Sequence, residues 1–585
     1  MEKEKTNIQM PYESGKAGGA WTSHPRPQMR RNNICILTDG WKLDGRDIRI
    51  PFPPQSELSG YEGNVADDLV YTCNFGIPDS FEKEKILLHF GAVDQIAKVE
   101  INGKEAGSHE GGYLPFTFDI TELADRVGEN CLKVTVKDDL SQDYPYGKQS
   151  KNPQGMWYTP VSGIWQQVWL ENVPEVYIKN IRITPTLAQV TVEAEFDRAP
   201  EKVSLAIELH SGNKLQEEMH RKNAEVGKNT EEGEETAGAF CYICTLQIPD
   251  PCLWTPDQPY LYDMTIMTDM DIVDSYFALR TIEVKEVNGA ARVCLNGEPI
   301  FWHGVLDQGY FKGGIFLPER EDAYENDIKI MKELGFNLLR KHIKVEPEYF
   351  YYMCDKLGML VMQDMVNNGD YSFLRDTALP TVGLKKRNDR RLNRSDKRRA
   401  IFKKHTRETI EHLYNHPCIV AYTVFNEGWG QFDSDGMYDF VKALDNTRLV
   451  DTTSGWYAHK RSDFDSEHIY FRLKKLKVKK RPLFVSECGG YQYMVKGHFF
   501  GKKEYGYGAC KSSEELTDRI VTMYEKMILP YIADGVCGCV YTQLSDVEGE
   551  INGLYTYDRK VCKTDKERMQ TLAEKLGNEK NFKKI

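Results

Sequence analysis

A chain of 585 residues is too long for one hydrophobic core and implies several domains. Its 41% hydrophobic and 28% charged residues are ordinary for a soluble globular protein. A formal charge of −12, without any domain-wide basic excess, argues against a nucleic-acid partner. No run approaches the ~18–20 apolar residues that span a bilayer, so no membrane partner is expected. The first ten residues, MEKEKTNIQM, lack the apolar stretch of a signal peptide. Fourteen cysteines are scattered, several of them in apolar runs (Cys294, Cys418, Cys537, Cys539). That usage suits reduced, buried thiols and a cytoplasmic location. Cys241 and Cys244 form a CxxC with no second pair and no following helix, and they carry no metal or redox assignment.

The first ~285 residues read as all-β, with short apolar or alternating runs between turn signals: KILLHF, IAKVEING, NCLKVTVKD, IWQQVWLENV, SLAIELHSG and LYDMTIMT. Asn102-Gly103 and Ser211-Gly212-Asn213 carry hairpin turn chemistry. A break at Val173-Pro174 separates two β-sandwiches, residues 1–174 and 175–286. The acidic stretch GKNTEEGEETAG reads as a solvated hairpin end of the second.

From residue 287 to 585 the pattern changes to alternating strand and helix. Eight strands are expected in PIFWHGVL, FNLLRKHI, MLVMQDM, CIVAYTVFNE, RLVDTTSG, SEHIYF, RPLFVSECGG and GVCGCVYTQL. Their continuous apolar character fits strands buried on both faces, as in a (β/α)8 TIM barrel. Polar residues then fall at the C-terminal ends of the strands, the rim where barrel enzymes keep their chemistry. Asp307 follows strand one, Arg340 and His342 strand two, and Gln363 and Asp364 strand three. Asn426 and Glu427 follow strand four, Ser454 and Trp456 strand five, Tyr470 strand six, Glu487 strand seven, and Gln543 with Asp546 strand eight.

Two carboxylates facing each other across a rim suit glycoside hydrolysis, in which one is acid/base and the other nucleophile. Glu427 lies in sequence between the apolar rings of Phe425 and Trp429, surroundings suited to a proton donor, and a cation such as Arg340 would hold Glu487 ionised. Asn426 is placed to donate to a sugar 2-OH, and Trp429, Trp456, Tyr470 and Tyr541 offer flat faces for stacking. Asp307 either binds a sugar hydroxyl or caps a turn. His416 is expected to fix the turn into strand four, and Trp254 to be a packed core residue.

FNEGWG and FVSECGG, in this order on strands four and seven, resemble the acid/base and nucleophile motifs of glycoside hydrolase family two, which includes β-galactosidases, β-glucuronidases and β-mannosidases. EGGYLPFTFDIT and VSGIWQQVWLE resemble its N-terminal jelly-roll sugar-binding domain, LWTPDQPYLYDMTI the end of its immunoglobulin-like domain, and GFNLLRKHI its second barrel strand. The resemblance implies a retaining exo-β-glycosidase with Glu427 as acid/base and Glu487 as nucleophile. It also implies that Arg340 and Tyr470 orient Glu487 and that Asn426 binds the 2-OH. His342, Trp456 and Gln543, on the same rim, complete the expected substrate-binding set. No cofactor is expected and no metal-ligand spacing stands out; the expected partner is a carbohydrate, with a homo-oligomer left open.

The β-glucuronidases of this family carry an Asn-x-Lys motif that grips the uronic carboxylate. The corresponding stretch here, DVEGEINGLYTYDRK, offers Asn552-Gly553-Leu554, with leucine in the lysine position and three acids, Asp546, Glu548 and Glu550, nearby. A neutral glycone, β-galactose, is therefore the leading expectation. The alternatives are a β-glucuronide or β-galacturonide drawn in by the basic stretches 385–399 and 472–481, or a catalytically silent carbohydrate-binding protein.

Overall fold

The computed structural model describes residues 21–222, 240–381, 383–384, 388–470 and 472–582. The acidic stretch 227–238 and the first ten residues lie outside them. All fourteen cysteines are free thiols, and no described helix is long and apolar enough to cross a membrane.

The first unit is a jelly-roll sandwich of a six-stranded and a four-stranded sheet, antiparallel in both. Asp68–Phe75 and Asn130–Lys137 pair at the centre of the larger sheet, and each buries every second residue. Period two puts Leu69, Tyr71, Cys73, Leu132, Val134 and Val136 on one face. That face packs against Leu88, Phe90 and Leu170 of the four-stranded sheet. The second unit is an immunoglobulin-like sandwich of two four-stranded sheets running from Ile178–Pro185 to Ile272–Phe277, with its own core around Val192, Leu205 and Ile266.

The hairpin Ile282–Val287 and Ala290–Leu295 turns at Asn288-Gly289, both in the left-handed region. Ile282, Val293 and Leu295 pack in the same core as the barrel. A boundary drawn at 286/287 therefore divides a hairpin that the hydrophobic contacts attach to the third unit.

The barrel strands, in chain order one to eight, are Trp302–Asp307, Leu338–Lys341, Leu360–Asp364, Ile419–Asn426, Leu449–Ser454, Asp465–Ile469, Leu483–Gly489 and Val536–Thr542. All are paired in parallel in the order five-four-three-two-one-eight-seven-six. Strands five and six close the ring without a continuous ladder. A backbone bond from Asp463 N to Val450 O (2.9 Å) and side-chain bonds bridge that seam. Helices Asp322–Glu333, Glu348–Leu357, Asp396–Leu413, Ser434–Leu444, Ser513–Met523 and Lys566–Gly577 lie outside the ring.

A loop of the jelly roll lies across the barrel mouth. Tyr158 donates to the Glu550 carboxylate, Trp157 packs on Trp429, and Gly155 lies against the ring of Tyr505.

Candidate active site

Strand alternation sorts the side chains at the rim. Phe425 points outward and stacks on Phe402 of a surrounding helix, while Asn426 points inward to Arg340. Continued alternation would turn Glu427 outward. Its φ of 54° breaks the pattern, in a region that non-glycine residues seldom occupy. The conformation is held from both sides: Glu427 N donates to Ser454 O and Trp456 Nε1 donates to Glu427 O, both at 3.0 Å. Gly428 (φ 75°) follows, where a Cβ would lie 2.3 Å from the Tyr457 ring, so the glycine of the NEGWG run is sterically required.

The Glu427 carboxylate consequently meets different neighbours from those its sequence surroundings suggest. Phe425 packs into the helix layer, and Trp429 packs against Tyr146, Trp157 and Tyr371. The groups at Glu427 Oε1 are His468 Nδ1, at 2.7 Å, and the Tyr470 hydroxyl, at 3.4 Å.

Glu487 sits on strand seven next to irregular register with both neighbouring strands, a local distortion that re-aims side chains. Its Oε1 accepts from Arg340 Nη1 at 3.0 Å and its Oε2 from the Tyr470 hydroxyl at 2.5 Å. Burial pushes this carboxyl up; the charges of His468, Arg340 and His342 and the Tyr470 hydrogen bond reverse that and hold it at about 2. Arg340 is the member of that set that stays charged at every relevant pH, whereas burial lowers the pKa of His342, so its charge contributes only in acid.

Arg340 is 0% exposed and spends its donors on Asp364, Ser486 O, Glu487 and Asn426 Oδ1, each at 3.0 Å. Because guanidinium can only donate, it fixes the Asn426 carboxamide with oxygen toward Arg340 and nitrogen away from it. His342 Nδ1 bonds Asp364 Oδ2 at 2.8 Å, so Asp364 supports both cation and imidazole.

Glu427, Glu487, Asn426, Arg340 and Tyr470 are thus brought together, with His342 joined to them through Asp364. Trp456 is spent on the backbone of Glu427 and of Asp376. Asp307 is engaged elsewhere, by Lys341 Nζ at 2.5 Å and by Gly309 N at 2.9 Å, so its carboxylate serves an ion pair and a turn. Gln543 Nε2 donates to Asn552 Oδ1 at 2.9 Å, in a chain that runs on to Glu550.

His468 was not singled out in the sequence. It bonds Ser454 Oγ through Nε2 at 2.8 Å, and Ser454, Ser486, Ser466 and Asp451 continue the chain into the barrel. Its position two residues before Tyr470, on the short strand six, was the available signal.

The three acids near Leu554 also separate. Asp546 is in a buried ion pair with Lys563 at 2.6 Å, and Glu548 accepts from Thr159 N. Only Glu550 stays with the site, held by Asn552 Nδ2 at 2.8 Å and by Tyr158. Leu554 is fully buried in the barrel core. Of the basic stretch after strand three, residues 385–387 lie outside the described residues. Lys397 and Arg398 pair with Asp143 of the jelly roll, and Arg399 donates to backbone carbonyls.

A different cation stands at the mouth. Lys148, on the jelly-roll loop, is 8% exposed and has no acceptor within hydrogen-bonding distance among the described residues. Its ammonium lies 5.6 Å from the Trp157 ring centroid, and its charge reaches His342 and Glu550. Of the remaining expectations, His416 bonds Asp355 at 2.7 Å just before strand four, and Trp254 is fully buried. No group of three or more metal-ligating side chains converges among the described residues.

Family models match this chain in three consecutive parts. Residues 51–166 match the glycosyl hydrolase 2 galactose-binding domain-like model, 176–280 the glycosyl hydrolases family 2 model, and 285–483 the family's TIM barrel domain. A β-galactosidase of Thermoanaerobacter pseudethanolicus is 26% identical over 396 residues, 65% of this chain and 47% of that protein, so the chain spans less than half of that relative's length. Among solved structures, a β-D-glucuronidase of Dictyoglomus thermophilum superposes with a TM-score of 0.71 at 18% identity, covering 94% of this chain and 98% of that one. A β-galacturonidase of Eisenbergiella tayi gives 0.67 at 19%, covering 94% and 98%. With jelly roll, immunoglobulin-like unit and barrel matched in order by models of one family, the chain belongs to glycoside hydrolase family 2.

Proposed function

We propose that this protein is a retaining exo-β-glycosidase that removes terminal β-linked sugars by double displacement. One observation carries the reading: a single hydroxyl, that of Tyr470, touches Glu427 at 3.4 Å and Glu487 at 2.5 Å. Retaining enzymes hold their carboxyl groups about 5–5.5 Å apart and inverting enzymes ~6.5–9.5 Å. Two contacts of those lengths through one atom keep the two oxygens below the inverting range.

In this reading Glu487, kept ionised by Arg340, attacks the anomeric carbon while Glu427 gives its proton to the glycosidic oxygen. Glu427 then takes a proton from water, which attacks the same carbon and frees Glu487. Asn426 Nδ2, turned away from Arg340, donates to the 2-OH. The jelly-roll loop closing one side of the rim supports action at a chain end.

The proposed glycone is β-galactose, on the ground that the stretch Asn552-Gly553-Leu554 lacks the Asn-x-Lys motif that would grip a uronic carboxylate. The acids beside it weigh less than their sequence proximity suggested, since Asp546 and Glu548 are engaged elsewhere. A second reading, a β-glucuronide or β-galacturonide, is favoured by Lys148, a cation at the mouth with no acceptor among the described residues. A panel of 4-nitrophenyl β- and α-glycosides decides: galactoside turnover well above both uronides is expected. A uronide ahead by tenfold would transfer the assignment to the second reading. No turnover of any glycoside would leave only carbohydrate binding.

A further inference from the structure

A cleft of about 440 Å³ opens beside the reaction centre, between the jelly-roll loop and the segment that follows barrel strand three. Its aromatic wall is Trp157 with Tyr371. Trp157 is half-buried and packs edge-on against Trp429, at 5.2 Å and 74°, and against Tyr371, at 5.1 Å and 65°. Those contacts fix the plane of the indole. Its Nε1–H has no acceptor among the described residues.

Gln142, Ser150, Asn152 and Gln154 give the rest of the lining neutral hydrogen-bonding groups, with the exposed carboxylate of Asp139 beside them. Lys151, also on the wall, is paired with Asp67 at 3.0 Å. A fixed flat ring surrounded by planar amides and hydroxyls is suited to a pyranose, whose CH face covers the ring while its hydroxyls bond the amides.

The position of the cleft indicates which part of a substrate would occupy it. Trp456 Nε1 donates to both Glu427 O and Asp376 O, tying the segment that carries Tyr371 to the backbone of Glu427, and the Tyr371 phenol feels the Glu427 charge. The cleft therefore begins on the side of the proposed proton donor. Whatever that proton is given to departs past Glu427 toward Trp157.

We infer that this cleft is the leaving-group subsite, that it takes a saccharide, and that Trp157 is its platform. The inference rests on the assignment of Glu427 as acid/base. It makes the physiological substrate an oligosaccharide or glycoconjugate whose penultimate unit is a sugar, in preference to a small aryl or alkyl glycoside.

The test compares kcat/KM for a β-linked disaccharide and for the β-glycosyl fluoride of the same glycone, whose one-atom leaving group cannot reach the cleft. Trp157→Ala should lower the disaccharide-to-fluoride ratio at least tenfold, and Trp157→Phe, which keeps a ring, should recover part of it. Gln154→Ala, an exposed position, should lower the same ratio by a smaller factor without altering the aromatic packing. An unchanged ratio in the three variants overturns the subsite while wild-type fluoride turnover leaves the glycosidase reading standing. Wild-type protein that turns over no fluoride of any glycone overturns that reading, and the subsite falls with it.

Discussion

The barrel rim and the jelly-roll loop laid over it treat their polar groups in opposite ways. At the rim the charged groups are tied inside the protein, while the neutral Thr542 Oγ1 and Gln543 Oε1 have no partner among the described residues. Arg340 donates four bonds without being exposed, Glu487 is held by two donors, and Glu427 is fixed through side chain and backbone alike. On the loop, Lys148 Nζ and Trp157 Nε1 have no protein acceptor among the described residues. A rigid, internally satisfied constellation suits bond making and breaking, because preorganised charges need no rearrangement when charge develops. Groups with unspent valence suit recognition. The comparison assigns the proposed chemistry to the barrel and the proposed selectivity to the loop.

The largest expected effects break the barrel side. Glu487→Ala removes the covalent step and should lose turnover by at least about 10³-fold on good and poor leaving groups alike. Glu427→Ala should lose ~10²–10⁴-fold on poor leaving groups, yet still react with a 2,4-dinitrophenyl glycoside and accumulate glycosyl-enzyme. Azide should then give the β-glycosyl azide with Glu427→Ala and the α-azide with Glu487→Ala, read from the anomeric proton by NMR. Exchanged products would reverse the two roles.

Arg340→Lys comes next, with an expected loss of ~10²-fold, about 3 kcal/mol of transition-state stabilisation. Lysine keeps the charge but not the fork that spans Asp364, Glu487 and Asn426. Glu487 is needed ionised, and its lowered pKa keeps it so down to acid pH. A weaker partner lets that pKa rise, so the acid limb of the kcat/KM profile should move to higher pH. An unmoved limb in a protein with native circular dichroism would make Arg340 a structural residue.

The smallest effect sharpens the loop side. Lys148→Met should change kcat/KM for the 4-nitrophenyl galactoside little and lower that for uronides about tenfold, ~1.4 kcal/mol, if the cation meets a carboxylate. Equal losses on both classes would show that Lys148 orients neutral hydroxyls or the loop itself.

Much of this architecture was legible along the chain. Eight apolar runs became eight parallel strands, because a strand buried on both faces needs no alternation and leaves a continuous signal. The strand-end residues Arg340, Asn426, Glu427, Tyr470 and Glu487 converge because parallel strands in one ring deliver all their C-terminal ends to one rim.

What failed were inferences from proximity in sequence. Phe425, Trp429, Asp546 and Glu548 are close to site residues along the chain yet turn to other partners, and the described part of the basic stretch after strand three binds Asp143 and nearby carbonyls. His468 offered only its place two residues before Tyr470, and Lys148, a lysine in a jelly-roll loop, offered no signal. By itself the sequence determined the order of sandwich and barrel folds, the barrel strands and which two carboxylates end strands four and seven, since periodicity and motif spacing are local. Only the tertiary structure decided which charges remain unpaired and which domain walls the site. Pairing depends on contacts between residues hundreds of positions apart, such as Tyr158 with Glu550, and no local pattern records them.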